Sequence, residues 1–195
     1  MNAPLLRFVL VTLAWLPVTF AVWYVLAPVI LFPVQLLVRA IAAVAWRDLI
    51  TAIESHGAVL SFVTTLRPGE THAGGVLTVD VNTLLYAFGL PLFVALALAA
   101  RQAPRWRAIV IGYVVMLPFI AWGVVADFLK NIAITAPPLV ASQAGFGPRE
   151  RDIIAFAYQF GSLILPAVVP AVAWVLTHRV FLERMRAPRE AATRP

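Results

Sequence analysis

The sequence predicts an all-α integral membrane protein with about four transmembrane helices, an extracytoplasmic surface helix and a β-hairpin. Three observations predict it. The 195 residues are 62% hydrophobic and only 12% charged, whereas a soluble domain carries about 25% charged and about 45–50% apolar residues. The apolar residues gather in long, almost charge-free runs of the length that crosses a bilayer. The basic residues sit mainly in one turn (101–107) and in the tail after Trp174, as membrane topology would place them.

The first run, 8–32, holds no charge and is long enough to span with some tilt. It is too long for a signal peptide, and no small-residue cleavage pattern follows it, so it reads as a retained helix. Pro17 and Pro28 should each kink it or end it locally. Trp23 and Tyr24 suit an outer interface, where amphipathic rings are favoured.

From Val34 to Glu54, Leu36, Leu37, Ile41, Val44, Leu49, Ile50 and Ile53 recur at helical spacing, interrupted by Arg39, Arg47, Asp48 and Glu54. Charges are costly at the bilayer centre, so 34–54 reads as an amphipathic surface helix anchored by Trp46. A second spanning helix over Val34–Trp46 is the rival reading. The period changes over 57–81. Ala58–Leu66 is rich in β-branched and aromatic residues, Arg67–Gly75 is turn chemistry, and Val76–Val81 alternates, which predicts a β-hairpin outside the membrane.

Two further runs form the centre of the chain, spans over 82–100 and 108–129, joined by the basic turn Arg101-Gln102-Ala103-Pro104-Arg105-Trp106-Arg107. The loop 131–152 carries Pro137, Pro138, Gly145, Gly147 and Pro148. A last span runs over 153–176, with a bend expected at Pro166 and Pro170. The tail 178–195 is basic. With both termini cytoplasmic, the inner side carries nine arginines and the outer side six basic residues roughly balanced by acids, an asymmetry that fits cytoplasmic termini and an outside β-hairpin. The whole chain reads as one membrane domain.

The net charge of +6 follows topology and shows no basic stripe with interleaved aromatics, so membrane lipid is the expected surround and no nucleic acid is. The chain has no cysteine, which excludes disulfides, thiolate ligands and a cysteine nucleophile. Glu54-Ser55-His56 and Glu70-Thr71-His72 have zinc-ligand chemistry. A strand of about nine residues at about 3.3 Å each separates them by roughly 30 Å, so no shared metal is expected. No serine–histidine–acid set and no phosphate or nucleotide loop occurs, so no cofactor is expected. Gly89, Gly112 and Gly161 read as close-packing positions between helices.

The polar residues within or beside the spans are the candidate site. Asp127 and Lys130, three apart, share a helix face. Asn82 and Tyr86 stand four apart, and Tyr158 and Gln159 open the last span. All six belong near the outer leaflet. An interfacial ion pair with ordinary helix–helix hydrogen bonds explains them; so does a contact surface for a partner or substrate, because ionisable groups at bilayer depth are costly unless paired or used.

The layout from Gly75 to Leu176 resembles the exosortase and archaeosortase membrane transpeptidases. Gly75–Val81 looks like their strand before the catalytic helix, and Pro104-Arg105-Trp106-Arg107 like their basic turn. Asp127-Phe128-Leu129-Lys130 stands in the place of their Asn-x-x-Arg, and Ala157-Tyr158-Gln159-Phe160-Gly161 in the place of their histidine and glycine. The departures are decisive. There is no cysteine, the arginine place holds Lys130, and the last span holds no histidine, so the resemblance does not extend to their reaction. The chain is more closely similar to the exosortase H-associated membrane proteins. The similarity rests on Leu16-Pro17, Trp23-Tyr24, His56-Gly57, Val81-Asn82 to Tyr86, and Gly89-Leu90-Pro91-Leu92. It implies a non-catalytic accessory in a Gram-negative inner membrane, with an exosortase or the sorting-signal tail of its substrate as partner. A cysteine-independent membrane enzyme, or a small transporter, is the alternative; a transporter needs a polar path across the membrane, which the nearly charge-free helix centres oppose.

Overall fold

The computed structural model describes residues 3–68, 75–100 and 105–186. Their elements run in the order α1 (Ala3–Val25), α2 (Ala27–Ile30), α3 (Phe32–Ala45), β1 (Ile50–His56), β2 (Val59–Thr64), β3 (Thr78–Asn82), α4 (Leu84–Ala87), α5 (Gly89–Ala99) and α6 (Arg105–Lys130). A π-helical stretch Asn131–Thr135 follows, then α7 (Pro138–Gln143), α8 (Pro148–Gln159), a second π stretch Phe160–Ile164, α9 (Leu165–Thr177) and α10 (Arg179–Arg186).

Among the described residues three helices are long and apolar enough to cross a membrane: Leu5–Val25, Trp106–Thr135 and Pro148–Thr177. The fourth run expected to span, 82–100, forms α4 and α5, a shorter apolar helix from Leu84 to Ala99. The helix expected over 8–32 ends at Val25. Pro28 and Pro33 then stand in the first turns of α2 and α3, where a missing N–H is harmless and a fixed φ suits a helix start. The same preference explains why the expected loop 131–152 is largely helical: Pro138 and Pro148 each open a helix. Pro17, Pro118 and Pro170 lie within continuous helices. At the expected bend, the second π stretch ends two residues before Pro166, with the Leu165 N–H reaching back five residues to the Phe160 carbonyl. π-bulges and prolines are the ordinary sources of a bent helix.

The helix expected over 34–54 stops at Ala45, and Ile50–His56 is a strand instead. The helical spacing of Leu49, Ile50 and Ile53 competes here with the strand preference of three β-branched residues, Ile50, Thr51 and Ile53, and with the turn at Gly57. Gly57 has φ +66°, a left-handed conformation that glycine adopts freely, and it turns the chain so that β1 pairs antiparallel with β2. The expected hairpin 57–81 is therefore two strands of a three-stranded antiparallel sheet in the order β1-β2-β3. At 14 residues, α3 is about 21 Å long, short of the roughly 30 Å of bilayer hydrocarbon. Residues 69–74 of the connection, including Glu70 and His72, residues 101–104 of the basic turn, and 187–195 of the tail lie outside the described residues. Of the tail, Arg179–Arg186 is a helix.

The chain divides into two compact units. In the first (1–26, 88–116 and 167–195), α1 packs along α5. Phe93, fully buried, fills the space that a side chain at Gly112 would need. Phe8 of α1 lies 5.5 Å from Trp174 and 5.3 Å from Phe181 between ring centroids, and Trp174 stacks on the buried His178.

The second unit (27–87 and 117–166) holds the sheet. Leu60, Phe62, Val79 and Val81 form its buried face, and Phe62 stacks on Phe128 at 4.3 Å. Helix α3 is tied to β1 by polar bonds. Gln35 Nε2 donates to the Gly57 carbonyl at 2.9 Å, Arg39 donates to the Ile53 carbonyl at 2.6 Å and to Ser55 Oγ at 2.7 Å, and Ser55 Oγ donates to Gln35 Oε1 at 3.0 Å. Gln35 is thus buried with its amide satisfied, the condition for a tolerable buried polar group.

Candidate functional site: a polar cluster on close-packed glycines

All six sequence-predicted site residues belong to the second unit, and four of them meet. Two glycines make this possible. A side chain at Gly123 would collide with the ring of Tyr86, and one at Gly161 would lie 2.9 Å from Trp122 Cδ1 and 3.1 Å from the Gly123 backbone. Tyr86 of α4 therefore rests on α6, and the π stretch at Phe160–Ile164 approaches the same turn of α6 at backbone distance. Small residues at helix crossings serve this purpose in membranes. Trp122 closes the crossing by donating its indole N–H to the Ala157 carbonyl at 3.1 Å.

One helical turn beyond Gly123 stands Asp127, 8% exposed. It is the acceptor at the centre of the cluster. The Tyr86 hydroxyl, on a residue 3% exposed, donates to its carboxylate. Lys130 Nζ lies 3.1 Å from Asp127 Oδ1. Asn131 Nδ2 donates to the same oxygen at 3.1 Å and to the Asp127 carbonyl at 3.0 Å. The Lys130 ammonium also lies 4.6 Å from the centroid of the Tyr158 ring, a cation–π distance. A buried carboxylate with three donors, two of them neutral, meets the requirement that a buried charge be paired and hydrogen-bonded. The Lys130 side chain remains 23% accessible.

Both flanking helices leave α geometry at the cluster. One π stretch begins at Asn131, directly after Lys130, and the other at Phe160, directly after Gln159. π-bulges are frequent at functional sites.

The other two predicted residues do different work. Asn82 ends β3, and its Oδ1 accepts the Leu84 N–H at 3.1 Å, turning the strand into α4. Gln159 is exposed, with no side-chain bond among the described residues. Sequence reasoning passes over Asn131, Trp122 and Gly123. Asn131 is visible as the residue four after Asp127 on the same helix face; Gly123 carries no signal beyond being a glycine within a span. The packing expected at Gly112 and Gly161 is present. Among the described residues no group of three metal-ligating side chains occurs.

A predominantly helical chain with three membrane-length helices, a small antiparallel sheet and a polar cluster seated on glycine crossings defines a helical membrane protein. The chain belongs to the exosortase H-associated membrane protein family, whose sequence model matches residues 2–181. That family's name places it in the membrane and in association with an exosortase. No curated protein and no solved structure matches the chain.

Proposed function

We propose that this protein is a non-catalytic accessory of an exosortase-type C-terminal protein-sorting system in a bacterial inner membrane. It crosses that membrane several times with both termini cytoplasmic, and it binds the sorting enzyme or the tail of its substrate. The observation that carries the reading is the family match over nearly the whole chain. Two properties of the chain support the details. A cysteine transpeptidase needs a thiolate, and the sequence has no cysteine. The cluster of Tyr86, Asp127, Lys130, Asn131 and Tyr158 is bonded within itself, with Tyr86 and Asp127 buried and Lys130, Asn131 and Tyr158 partly exposed, an arrangement suited to contact more than to proton transfer. Asn82 and Gln159 extend the proposed contact surface.

The test is the pair Asp127→Ala and Lys130→Ala in the native host, following cleavage of a C-terminally tagged protein sorted there. Reduced cleavage, with the protein still present in the membrane, is expected. Unchanged cleavage with both variants would remove the cluster from the proposed contact.

A further inference from the structure

The two edges of the sheet are treated differently. The β1 edge is blunted: Arg39 caps the Ile53 carbonyl, Gln35 caps Gly57, and the register slips between Ile50 and Ala52. These are common protections of an exposed edge strand. Among the described residues the β3 edge has no such cap and no register slip, only the charge of Asp80. The Thr64 N–H donates to the Leu77 carbonyl and the Thr83 N–H to the Ala58 carbonyl, so residues 77, 79, 81 and 83 turn their backbone groups towards β2. Alternation along an antiparallel strand then sends the N–H and C=O of Thr78, Asp80 and Asn82 outward. Among the described residues nothing bonds to those groups. Thr78 and Asp80 are exposed, and neither proline nor lysine interrupts the strand.

The side chains beside that edge set the chemistry of what could cover it. Cross-strand register puts Glu54, Ser61 and Asp80 in one row on the face opposite Phe62 and Val79. The adjoining rows, Ala52–Val63–Thr78 and His56–Val59–Asn82, contain no lysine or arginine. No cation among the described residues pairs with Asp80. The strand ends at Asn82, four residues before Tyr86, so the edge leads directly to the polar cluster.

We propose that the free edge of β3 takes an extended peptide as a fourth strand, with a lysine or arginine of that peptide facing Asp80. Main-chain bonds to Thr78, Asp80 and Asn82 supply the pairing, as in other strand additions, and the Asp80 pair sets the register. This rests on the accessory reading above and names the occupant: the extended part of the substrate's C-terminal tail, just before that tail enters the membrane.

The chain has no native cysteine, so single cysteines report cleanly. Thr78→Cys and, as control, Glu54→Cys are placed in the full-length protein in host membranes. The probe is a tagged protein sorted by that host, carrying one cysteine at each successive position ahead of its apolar segment. The expected result is disulfide formation from position 78 to the single tail position opposite it in the paired register, and none from position 54. In the Thr78→Cys background, Asp80→Pro removes an outward N–H, which an edge strand tolerates, together with the carboxylate that would hold the peptide's cation. It should abolish the cross-link without lowering the unfolding temperature. Should that variant fail to accumulate, Asp80→Lys in the same background should weaken the cross-link by charge reversal. Absence of cross-links from 78, cross-links only between two copies of this chain, or cross-links indifferent to both Asp80 substitutions would overturn the proposal. If deleting the protein stops cleavage while these tests fail, the edge proposal falls and the accessory reading stands. If deletion leaves cleavage intact, the accessory reading falls first.

Discussion

Replacing Asp127 by alanine removes one acceptor from three partners at once. The Tyr86 hydroxyl is left buried without an acceptor, which costs about 1–3 kcal/mol. The Lys130 ammonium, 23% accessible at its side chain, loses its counter-ion, and Asn131 keeps only its bond to the Asp127 carbonyl. Together the loss should lie at about 2–4 kcal/mol, below the roughly 3–5 kcal/mol of a fully buried pair because the Lys130 side chain is only partly buried. Lys130→Ala is milder. The carboxylate keeps Tyr86 and Asn131, and the cost is about 1 kcal/mol for the pair plus about 0.5–1 kcal/mol for the cation–π contact. The double variant should be less destabilised than the sum, with a coupling of about 1 kcal/mol, since each single variant strands the other's partner. The assay is unfolding in mild detergent, read by tryptophan fluorescence, for wild type, both single variants and the double. Additivity within about 0.5 kcal/mol would refute the ion pair as a structural unit.

Three further outcomes follow from the packing. Gly123→Ala drives a methyl group into the Tyr86 ring; it should destabilise by about 1–3 kcal/mol through overpacking, although alanine is the better helix former by about 1 kcal/mol, and a rise in unfolding temperature would contradict the contact. Phe62→Ala empties a site 1% exposed and stacked on Phe128, and should cost about 3–5 kcal/mol in the same unfolding assay. His178, 1% exposed, is held neutral: burial lowers its pKa below the usual 6.5, partly opposed by its bond to the Trp174 carbonyl. The unfolded chain therefore binds the proton more readily, so stability should hold above pH 6.5 and fall as the pH drops towards the lower folded-state value. His178→Gln should flatten that slope, and an unchanged slope would assign it to other groups.

Much of the architecture is legible in the sequence because it rests on strong periodic signals. The long apolar runs, the alternating strands at 59–64 and 78–82, and the pairing of Asp127 with Lys130 all follow from one-dimensional spacing. The misses have separate causes. Ile50 and Ile53 sit at positions that fit a helical stripe, but the turn at Gly57 offers β1 a partner strand, and tertiary pairing overrides local period. Pro138 and Pro148 read as breakers, although proline also opens helices. Asn131 escapes notice because a side chain returning to Asp127 needs the helix to continue past Lys130, where the sequence suggests a loop. The glycine crossing beneath Tyr86 joins residues far apart in the chain, and no spacing within one helix encodes it.

The most direct test of the account is deletion of the gene in its native host, with cleavage of a C-terminally tagged sorted protein followed while the exosortase is shown to be present. The account predicts that cleavage is lost or strongly slowed and is restored by the wild-type chain. Normal cleavage in the deletion strain would contradict it.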